Sequence, residues 1–410
     1  MASKGMIPFL VGMMLLTGVC NTLLTKFQDN QCVRDCDDPD IHKRKHFEQP
    51  VLQTAQMFVG EMGCWLVVGL LKLYTRWTNK KSPAERGYEA VNTTPEAADR
   101  MIGDDDDEAE GHGKPIMAKL SGKRILMLAV PAICDICGTT LMNVGLLLVA
   151  ASIYQMTRGA LVLFVGLFSV LFLKRRLHLF QWLSLVGVVS GVAVVGLSGV
   201  LWPDKKASMG TGAEAEAEKS SAFLALVGFL LIAGAQIFTA TQFVLEEWIL
   251  ERYSIEPLKV VGWEGIFGFV FTVLGMLILH VAIGQTAEGR LGPFDMAEGW
   301  RQMTTQKPLG ISSILIMISI GSFNFFGLSV TRSVSATSRS TIDTCRTLFI
   351  WLASLGLGWE QFKWLQIVGF ALLVYATFVF NGVVDPPLEC LRPDSEVEEL
   401  LPEEPIESHR

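Results

Sequence analysis

Charged side chains interrupt several apolar stretches of this 410-residue chain. In residues 334–360, Arg339, Asp343 and Arg346 are spaced by four and then three positions, which places all three on one face of a helix. A charge in a bilayer costs about 2.5 kcal/mol or more, so such residues face a partner, a bundle interior or a watery cavity. The same spacing allows Arg339 and Asp343 to pair with each other, and the sequence favours this self-pairing.

Four more ionisable residues, each alone in its apolar stretch, are Glu61, Asp135, Arg158 and Glu264. We expect them to line or gate one central cavity, with Gln155 on the same helical face as Arg158. The alternative is that all seven charged groups form ion pairs between helices and touch no solute. A buried carboxylate without a full partner can also bind and release a proton, so proton coupling is a hypothesis for this site.

The elements that would position these residues are predicted from composition and apolar run length. Apolar residues make up 50% of the chain, charged residues make up 18%, and the mean hydropathy is +0.39. We predict an all-α membrane protein with ten transmembrane helices, at residues 6–25, 51–73, 125–149, 152–173, 179–199, 222–245, 258–280, 309–331, 334–357 and 362–382. A nucleic-acid partner is not expected, because the net charge is -7. The chain also lacks the motifs of an enzyme, a metal site or a cofactor site.

Five predicted spans lie on each side of a polar linker at residues 203–221, and the two halves look related. Aligning Ser152 with Thr337 brings Gly187 close to register with Gly369. Because five is odd, the second half, 222–382, would enter the membrane from the opposite side to the first, 1–202. This pattern predicts two inverted five-helix repeats, a signature of secondary transporters with a midplane site. The alternative is the weak self-similarity of any ten-span chain.

Basic residues in the loops favour cytosolic termini, and the short turn at residues 174–176 (Lys-Arg-Arg) is the clearest indication. This orientation places the acidic loop 74–122 and the acidic tail 383–410 in the cytosol. In the tail, Glu396, Leu400 and Leu401 form an acidic dileucine pattern, which sorting adaptors bind on lysosomal and vacuolar proteins. The alternative is a chance Leu-Leu pair in an acidic tail.

The first loop lies on the other side of the membrane in this orientation. Cys32 and Cys36 are expected to form a local disulfide there if that compartment is oxidising. Together with His42 and His46 they could instead bind zinc. The Cys-to-His spacing is shorter than in the familiar zinc finger, so the disulfide is favoured.

Several longer motifs resemble those of the drug/metabolite transporter superfamily, in particular the solute carrier 35 F subfamily. They are MFVGE (57–61), PAICDICGTTLM (131–142), YQMTRGALVLFVGLFSVLFL (154–173), VLEE (244–247), EGIFGF (264–269), FNFFGLSVT (323–331), SATSR (335–339) and LGWE (357–360). The resemblance implies ten helices in two inverted repeats and alternating access for a small organic solute across a lipid bilayer. It also implies a lysosomal or mitochondrial membrane, and the dileucine pattern favours the lysosome or vacuole.

The resemblance implies no particular substrate, and it leaves the oligomeric state open, a homodimer included. A second interpretation of the function belongs to a different class. The chain would be a membrane interaction or regulatory protein that keeps a transporter fold and acts through a partner.

Overall fold

A computed structural model describes residues 6–34, 36, 45–47, 49–79, 120, 122–148, 154, 157–201, 216–286, 289–290, 292, 294–358 and 362–386. These residues are almost entirely helical. The α-helices are α1 (Met6–Asp29), α2 (Pro50–Asn79), α3 (Ala129–Leu148), α4 (Leu161–Phe172), α5 (Leu179–Leu201), α6 (Glu216–Arg252), α7 (Pro257–Leu279), α8 (Met296–Thr305), α9 (Lys307–Ser333), α10 (Ala336–Gly356) and α11 (Trp364–Phe380). A 3₁₀ helix, Gly122–Leu128, leads into α3, and a π-helical turn, His280–Gly284, follows α7.

Within the described part of the chain, six helical segments are long and apolar enough to cross a membrane: Met6–Asp29, Pro50–Thr78, Gly122–Gly145, Leu226–Arg252, Pro257–Gly284 and Lys307–Ser333. Three shorter apolar segments are Leu161–Phe172, Trp364–Phe380 and the portion Leu179–Val195 of α5. The remaining long helix, α10, carries Arg339, Asp343 and Arg346 within its length. A chain with this many apolar helices is a multi-pass membrane protein.

The bundle is apolar outside and carries charge inside, the reverse of a soluble protein. Large apolar side chains on the outer surface, such as Leu66 and Ile318, are more than 60% exposed. In contrast, Glu61, Glu264 and Arg339 are buried between helices. This distribution suits a lipid surround, because lipid offers no partner to a charge.

The helix boundaries differ from the predicted ones at three places. Helix α6 begins at Glu216, inside the predicted linker 203–221, and ends at Arg252, well beyond the predicted end at residue 245. It continues there because Ile249 and Leu250 are buried against the start of α7. Helix α4 begins at Leu161, after a turn at Gly159 and Ala160 that separates it from the helical residues Tyr154, Thr157 and Arg158. Helix α8 was not predicted at all.

Close helix crossings bring the centre of α2 against α7 and α9. A Cβ atom at Gly321 of α9 would lie 2.5 Å from the backbone O of Gly60, so the two backbones touch. On α7, a Cβ at Gly265 would lie 2.6 Å from the backbone N of Met62. Only glycine permits such contacts, and they hold the intervening Glu61 at a fixed depth in the bundle.

A small cap covers one end of the bundle and is formed by α8 and the two-stranded sheet β1 (Cys32–Arg34) and β2 (Lys45–His46). Its core consists of Phe47, Leu52, Met303 and Leu309. Since β1 and β2 follow α1 while α8 precedes α9, the cap joins the two halves of the chain.

Ion pairs hold the cap together. Arg34 of β1 donates a hydrogen bond to Glu298 of α8 at 2.9 Å, and Arg301 lies 2.8 Å from the same carboxylate. Hydrogen bonds from Arg301, and further ones from Gln302 and Arg34, lower the pKa of Glu298 to about 2 against the opposing effect of desolvation. Glu298 is therefore ionised at any physiological pH.

Candidate functional site

The charged residues predicted from the sequence gather in two clusters along α10. The first, the acidic cluster, consists of Glu61, Asp135, Glu246, Glu264 and Arg339. The second, the arginine cluster, consists of Arg158, Tyr154, Asp343 and Arg346. Arg339 and Arg346 are seven residues apart on α10, which corresponds to about 10 Å along a helix axis.

The acidic cluster is built on a buried ion pair between α10 and α6. Arg339 Nη1 donates to Glu246 Oε2 at 2.6 Å, and the two side chains are only 2% and 1% exposed. Arg339 also lies over the ring of Phe243, 4.1 Å from its centroid. The other oxygen of Glu246 accepts a hydrogen bond from Gln242 at 2.9 Å. Helix α6 thus fixes both the position and the charge partner of Arg339.

Three more carboxylates approach this pair from three other helices. Glu61 of α2 accepts a hydrogen bond from Asn324 of α9 at 2.5 Å. Asp135 of α3 accepts one from Thr139 at 3.2 Å. Glu264 of α7 is 6% exposed, and its Oε1 atom has no hydrogen-bond partner among the residues that the structure describes.

These carboxylates are close enough to influence one another. Glu264 interacts electrostatically with Glu61, Asp135, Glu246 and Arg339. Four carboxylates therefore share one guanidinium in a place shielded from water. They cannot all remain charged without a further proton or cation, because burying an uncompensated charge is costly.

The arginine cluster has the opposite balance. Arg346 Nε lies 3.3 Å from Asp343 Oδ1, and the guanidinium lies over the ring of Phe323 at 4.8 Å. Arg158 hydrogen bonds with Tyr154 and interacts electrostatically with Asp343. Two guanidinium groups thus share one carboxylate between α10 and the residues that precede α4.

The predicted pairing of Arg339 with Asp343 is wrong. Arg339 pairs with Glu246, and Asp343 pairs with Arg346. The spacing along α10 allows Asp343 to pair with either Arg339 or Arg346. Because the carboxylate of Glu246 on α6 pairs with Arg339, Asp343 pairs with Arg346. Glu246 was missed because the predicted span ended at residue 245; the apolar residues of the following WIL sequence were the signal that the helix continues.

The seven charged residues that were expected around one cavity lie in two clusters, one with an excess of carboxylates and one with an excess of arginines. Glu61, Asp135 and Glu264 are brought together as expected, with Arg339 beside them. Arg158 lies with the other cluster. Gln155 lies outside the described residues, as do the sorting residues Glu396, Leu400 and Leu401 and most of the loop 74–122.

An ion-pair network closes the end of the bundle next to the acidic cluster. Arg175, in the turn after α4, lies 2.6 Å from Glu247 and 2.5 Å from Glu251. The second oxygen of Glu247 accepts a hydrogen bond from the backbone N of Ala336 at 3.0 Å. Glu246 and Glu247 are adjacent on α6. Glu246 faces the acidic cluster, and Glu247 connects α6 to the turn after α4 and to the start of α10.

In the cap, Cys32 and Cys36 are joined by a disulfide. Both thiols are therefore used, which removes two of the four ligands from the alternative zinc site. His46 Nδ1 lies 3.2 Å from the backbone O of Asn30. His42 lies outside the described residues.

Comparisons with known proteins match most of the chain. A family model described as nucleotide-sugar transporter matches residues 113–248. An uncharacterized protein of Schizosaccharomyces pombe is 37% identical over 375 residues, 92% of this chain and 97% of that protein. Solute carrier family 35 member F6 of Homo sapiens is 36% identical over 403 residues, 96% of this chain and 95% of that protein. A UDP-N-acetylglucosamine transporter of Canis lupus familiaris is 30% identical over 155 residues, 37% of this chain and 44% of that protein.

Proposed function

Because this chain belongs to the solute carrier 35 F subfamily of the drug/metabolite transporter superfamily, we propose that it is a secondary active transporter. It moves a small organic solute across an endomembrane by alternating access. The observation that carries the proposal is the acidic cluster, because ionisable groups inside an apolar bundle are costly and typically mark a functional site. No enzymatic step is part of this function.

We propose that the chain folds into ten transmembrane helices in two inverted repeats, residues 1–202 and 222–382. The helix contacts support it. If α1 to α5 correspond in order to α6, α7, α9, α10 and α11, the packing of α1 on α9 matches that of α6 on α3. Three further contacts, α2 with α7, α4 with α10 and α5 with α11, each join a helix to its equivalent in the other half. Exchanging the two halves therefore leaves each of these contacts unchanged. Such a contact pattern is expected of two halves related by a pseudo-two-fold axis, with α8 as an addition to the second half.

The acidic cluster spans the boundary between the proposed repeats. Glu61 and Asp135 belong to the first half, while Glu246, Glu264 and Arg339 belong to the second. Rocking one half against the other would separate these groups and expose them to one side at a time. The network of Arg175, Glu247 and Ala336 would have to break for opening at its end.

Proton coupling through these carboxylates is testable by transport assays. The full chain is reconstituted into liposomes with a metabolite pool, and mass spectrometry identifies what enters. We expect Asp135→Asn and Glu61→Gln to flatten the pH dependence of that uptake, since the proton-binding group is removed. The control is Glu256→Gln, because Glu256 is an exposed acid between α6 and α7 that forms an ion pair with Lys259 on the surface. Unchanged pH dependence in well-folded cluster variants would remove both residues from coupling.

The proposed orientation has both termini in the cytosol, together with the loop 74–122 and the tail 383–410. The disulfide of Cys32 and Cys36 supports it, because such bonds persist on the oxidising side of a membrane. It also allows the tail to reach sorting adaptors, which favours a lysosomal or vacuolar membrane over a mitochondrial one.

The sorting signal has its own test. Replacing Leu400 and Leu401 with Ala should move the protein toward the cell surface, measured by surface biotinylation. The matched control is a double substitution of Glu403 and Glu404 to Gln, which leaves the dileucine intact. An unaltered location of the Leu variant means that the pattern is silent.

The second candidate function is a membrane interaction or regulatory protein that acts through a partner. The tight pair of Arg339 and Glu246 favours it, because a buried ion pair can serve structure alone. Purification with a stoichiometric second protein, together with liposomes in which no metabolite moves, would select this function over transport.

A further inference from the structure

We propose that the transported solute is an organic cation, bound by the same carboxylates that hold protons when the site is empty. This inference rests on the proposed transport function and adds the chemical class of the substrate. Its starting point is the excess of acid in the cluster. Glu61, Asp135, Glu246 and Glu264 meet a single basic side chain, Arg339.

The clearest sign of a missing donor is Glu264. Its side chain is buried, and its Oε1 atom has no hydrogen-bond partner although it lies among the other carboxylates. A buried carboxylate oxygen without a donor is costly, so such atoms in native proteins mark a place for a proton, a water or a ligand. An ammonium group has three N–H donors and a positive charge, which satisfies both needs.

An anionic solute does not fit the cluster. The guanidinium of Arg339 is already held by Glu246 at 2.6 Å and lies over Phe243. A phosphate or carboxylate placed here would face four acids with no other basic side chain among them. In the arginine cluster, Arg346 lies about two helical turns from Arg339 along α10 and pairs with Asp343. The second guanidinium, that of Arg158, forms a hydrogen bond with Tyr154.

The arrangement also favours an organic cation over a metal ion. Among the residues that the structure describes, no group of three or more His, Cys, Asp and Glu side chains is arranged to hold a metal. The carboxylates come from four helices, α2, α3, α6 and α7, and they interact electrostatically without forming one compact ligand set. Carboxylates spread in this way suit a molecule with one or two separated cationic groups.

Charge balance makes the transport an exchange. When an ammonium group replaces the proton of a carboxylic acid, the product is an ammonium carboxylate pair and one released proton. One proton thus leaves for each positive charge that enters, so the exchange of a monovalent cation is electroneutral. A proton gradient would then drive the cation toward the more acidic compartment.

The test uses the full chain in liposomes with an acidic interior. The external mixture is defined: choline, agmatine, putrescine and lysine as cations, alanine and glutamine as zwitterions, and UDP-N-acetylglucosamine as an anion. Mass spectrometry measures which compounds accumulate, and an entrapped pH dye measures proton release. We expect cations alone to accumulate above protein-free liposomes, with the interior becoming less acidic as they enter.

Substitutions then test whether the acidic cluster is the site that binds the cations. Glu264→Gln should reduce accumulation about tenfold, as loss of one charge-assisted contact predicts, whereas Glu256→Gln should not change it. If Glu264→Gln elutes as aggregate, Glu61→Gln and Asp135→Asn are measured in its place. Accumulation of UDP-N-acetylglucosamine or the zwitterions without the cations would overturn the cation inference and leave the transport function standing. If none of these compounds moves but solutes from the metabolite pool do, the cation inference is overturned and the transport function stands. If neither the mixture nor the pool yields uptake, the transport function itself is contradicted.

Discussion

Glu264 of α7 and Glu298 of α8 have the same solvent exposure, 6%, but Glu264 lies deep between the helices and Glu298 lies in the cap at the end of the bundle, and their surroundings are opposite. Glu298 receives hydrogen bonds from Arg34, Arg301 and Gln302. Glu264 has three carboxylates and one arginine as its charged neighbours, and one of its oxygens has no donor. Burial alone therefore does not distinguish a structural carboxylate from a functional one.

The donors around each carboxylate make the distinction. Glu298 is fully satisfied within the cap, and its charge joins β1 to α8. Glu264 lies among other carboxylates inside the bundle, and its Oε1 atom has no donor among the described residues, so a proton, a water or a ligand would have to supply one. A site that must bind and release a solute cannot be satisfied by its own protein, since nothing would then be gained on binding.

The largest expected effect follows from removing the one guanidinium of the acidic cluster. Arg339→Met leaves Glu246 buried without its charge partner, and we expect a loss of about 3 to 5 kcal/mol in unfolding free energy. Thermal unfolding in detergent measures it. The double variant Arg339→Met with Glu246→Gln should recover much of the loss, because the uncompensated charge is gone. If the double variant is as unstable as the single one, packing rather than charge holds α6 to α10.

A smaller effect, with opposite signs for the two carboxylates, is expected from amide substitution. Glu298→Gln should lower stability by about 1 to 2 kcal/mol, since charge-assisted bonds to two arginines are weakened, while transport continues. Glu264→Gln should leave stability unchanged or raised and should reduce transport about tenfold. Each variant is the control for the other, because the substitution is the same and the two side chains have the same solvent exposure. Equal losses of stability in both would remove the distinction between the sites.

The sequence predicted the acids of the site better than their partners. Glu61, Asp135 and Glu264 were predictable because a charge inside an apolar run is visible locally. Their convergence depends on which helices are neighbours, and spacing on one helix carries no such information. For the same reason, the sequence predicted the wrong partner for Arg339. Its ion-pair partner is Glu246, which lies 93 positions earlier in the chain on another helix.

The cap was beyond sequence reasoning for a different reason. The segment that forms α8 is short and polar, so it has no apolar run to predict a span. Its signals were Asp295, whose side chain accepts from the backbone N of Ala297 and Glu298, and the acid Glu298 in the first turn. Those signals indicate the start of a helix. They do not indicate that Glu298 also pairs with Arg34, which lies far away in the sequence.

The smallest expected effect is the acid response of the cap. The pKa of Glu298 is lowered from its ordinary value of 4.5 to about 2, so its stabilisation is complete above pH 4.5 and is lost as the pH falls toward 2. At pH 4 we expect the wild type to have lost less than about 1 kcal/mol of this contribution. The unfolding free energies of wild type and Glu298→Gln, measured between pH 7 and pH 3, should therefore converge only at the acidic end. A gap that closes already near pH 6 would mean that the Arg34 and Arg301 contacts do not hold this carboxylate ionised, and the contrast with Glu264 would fail.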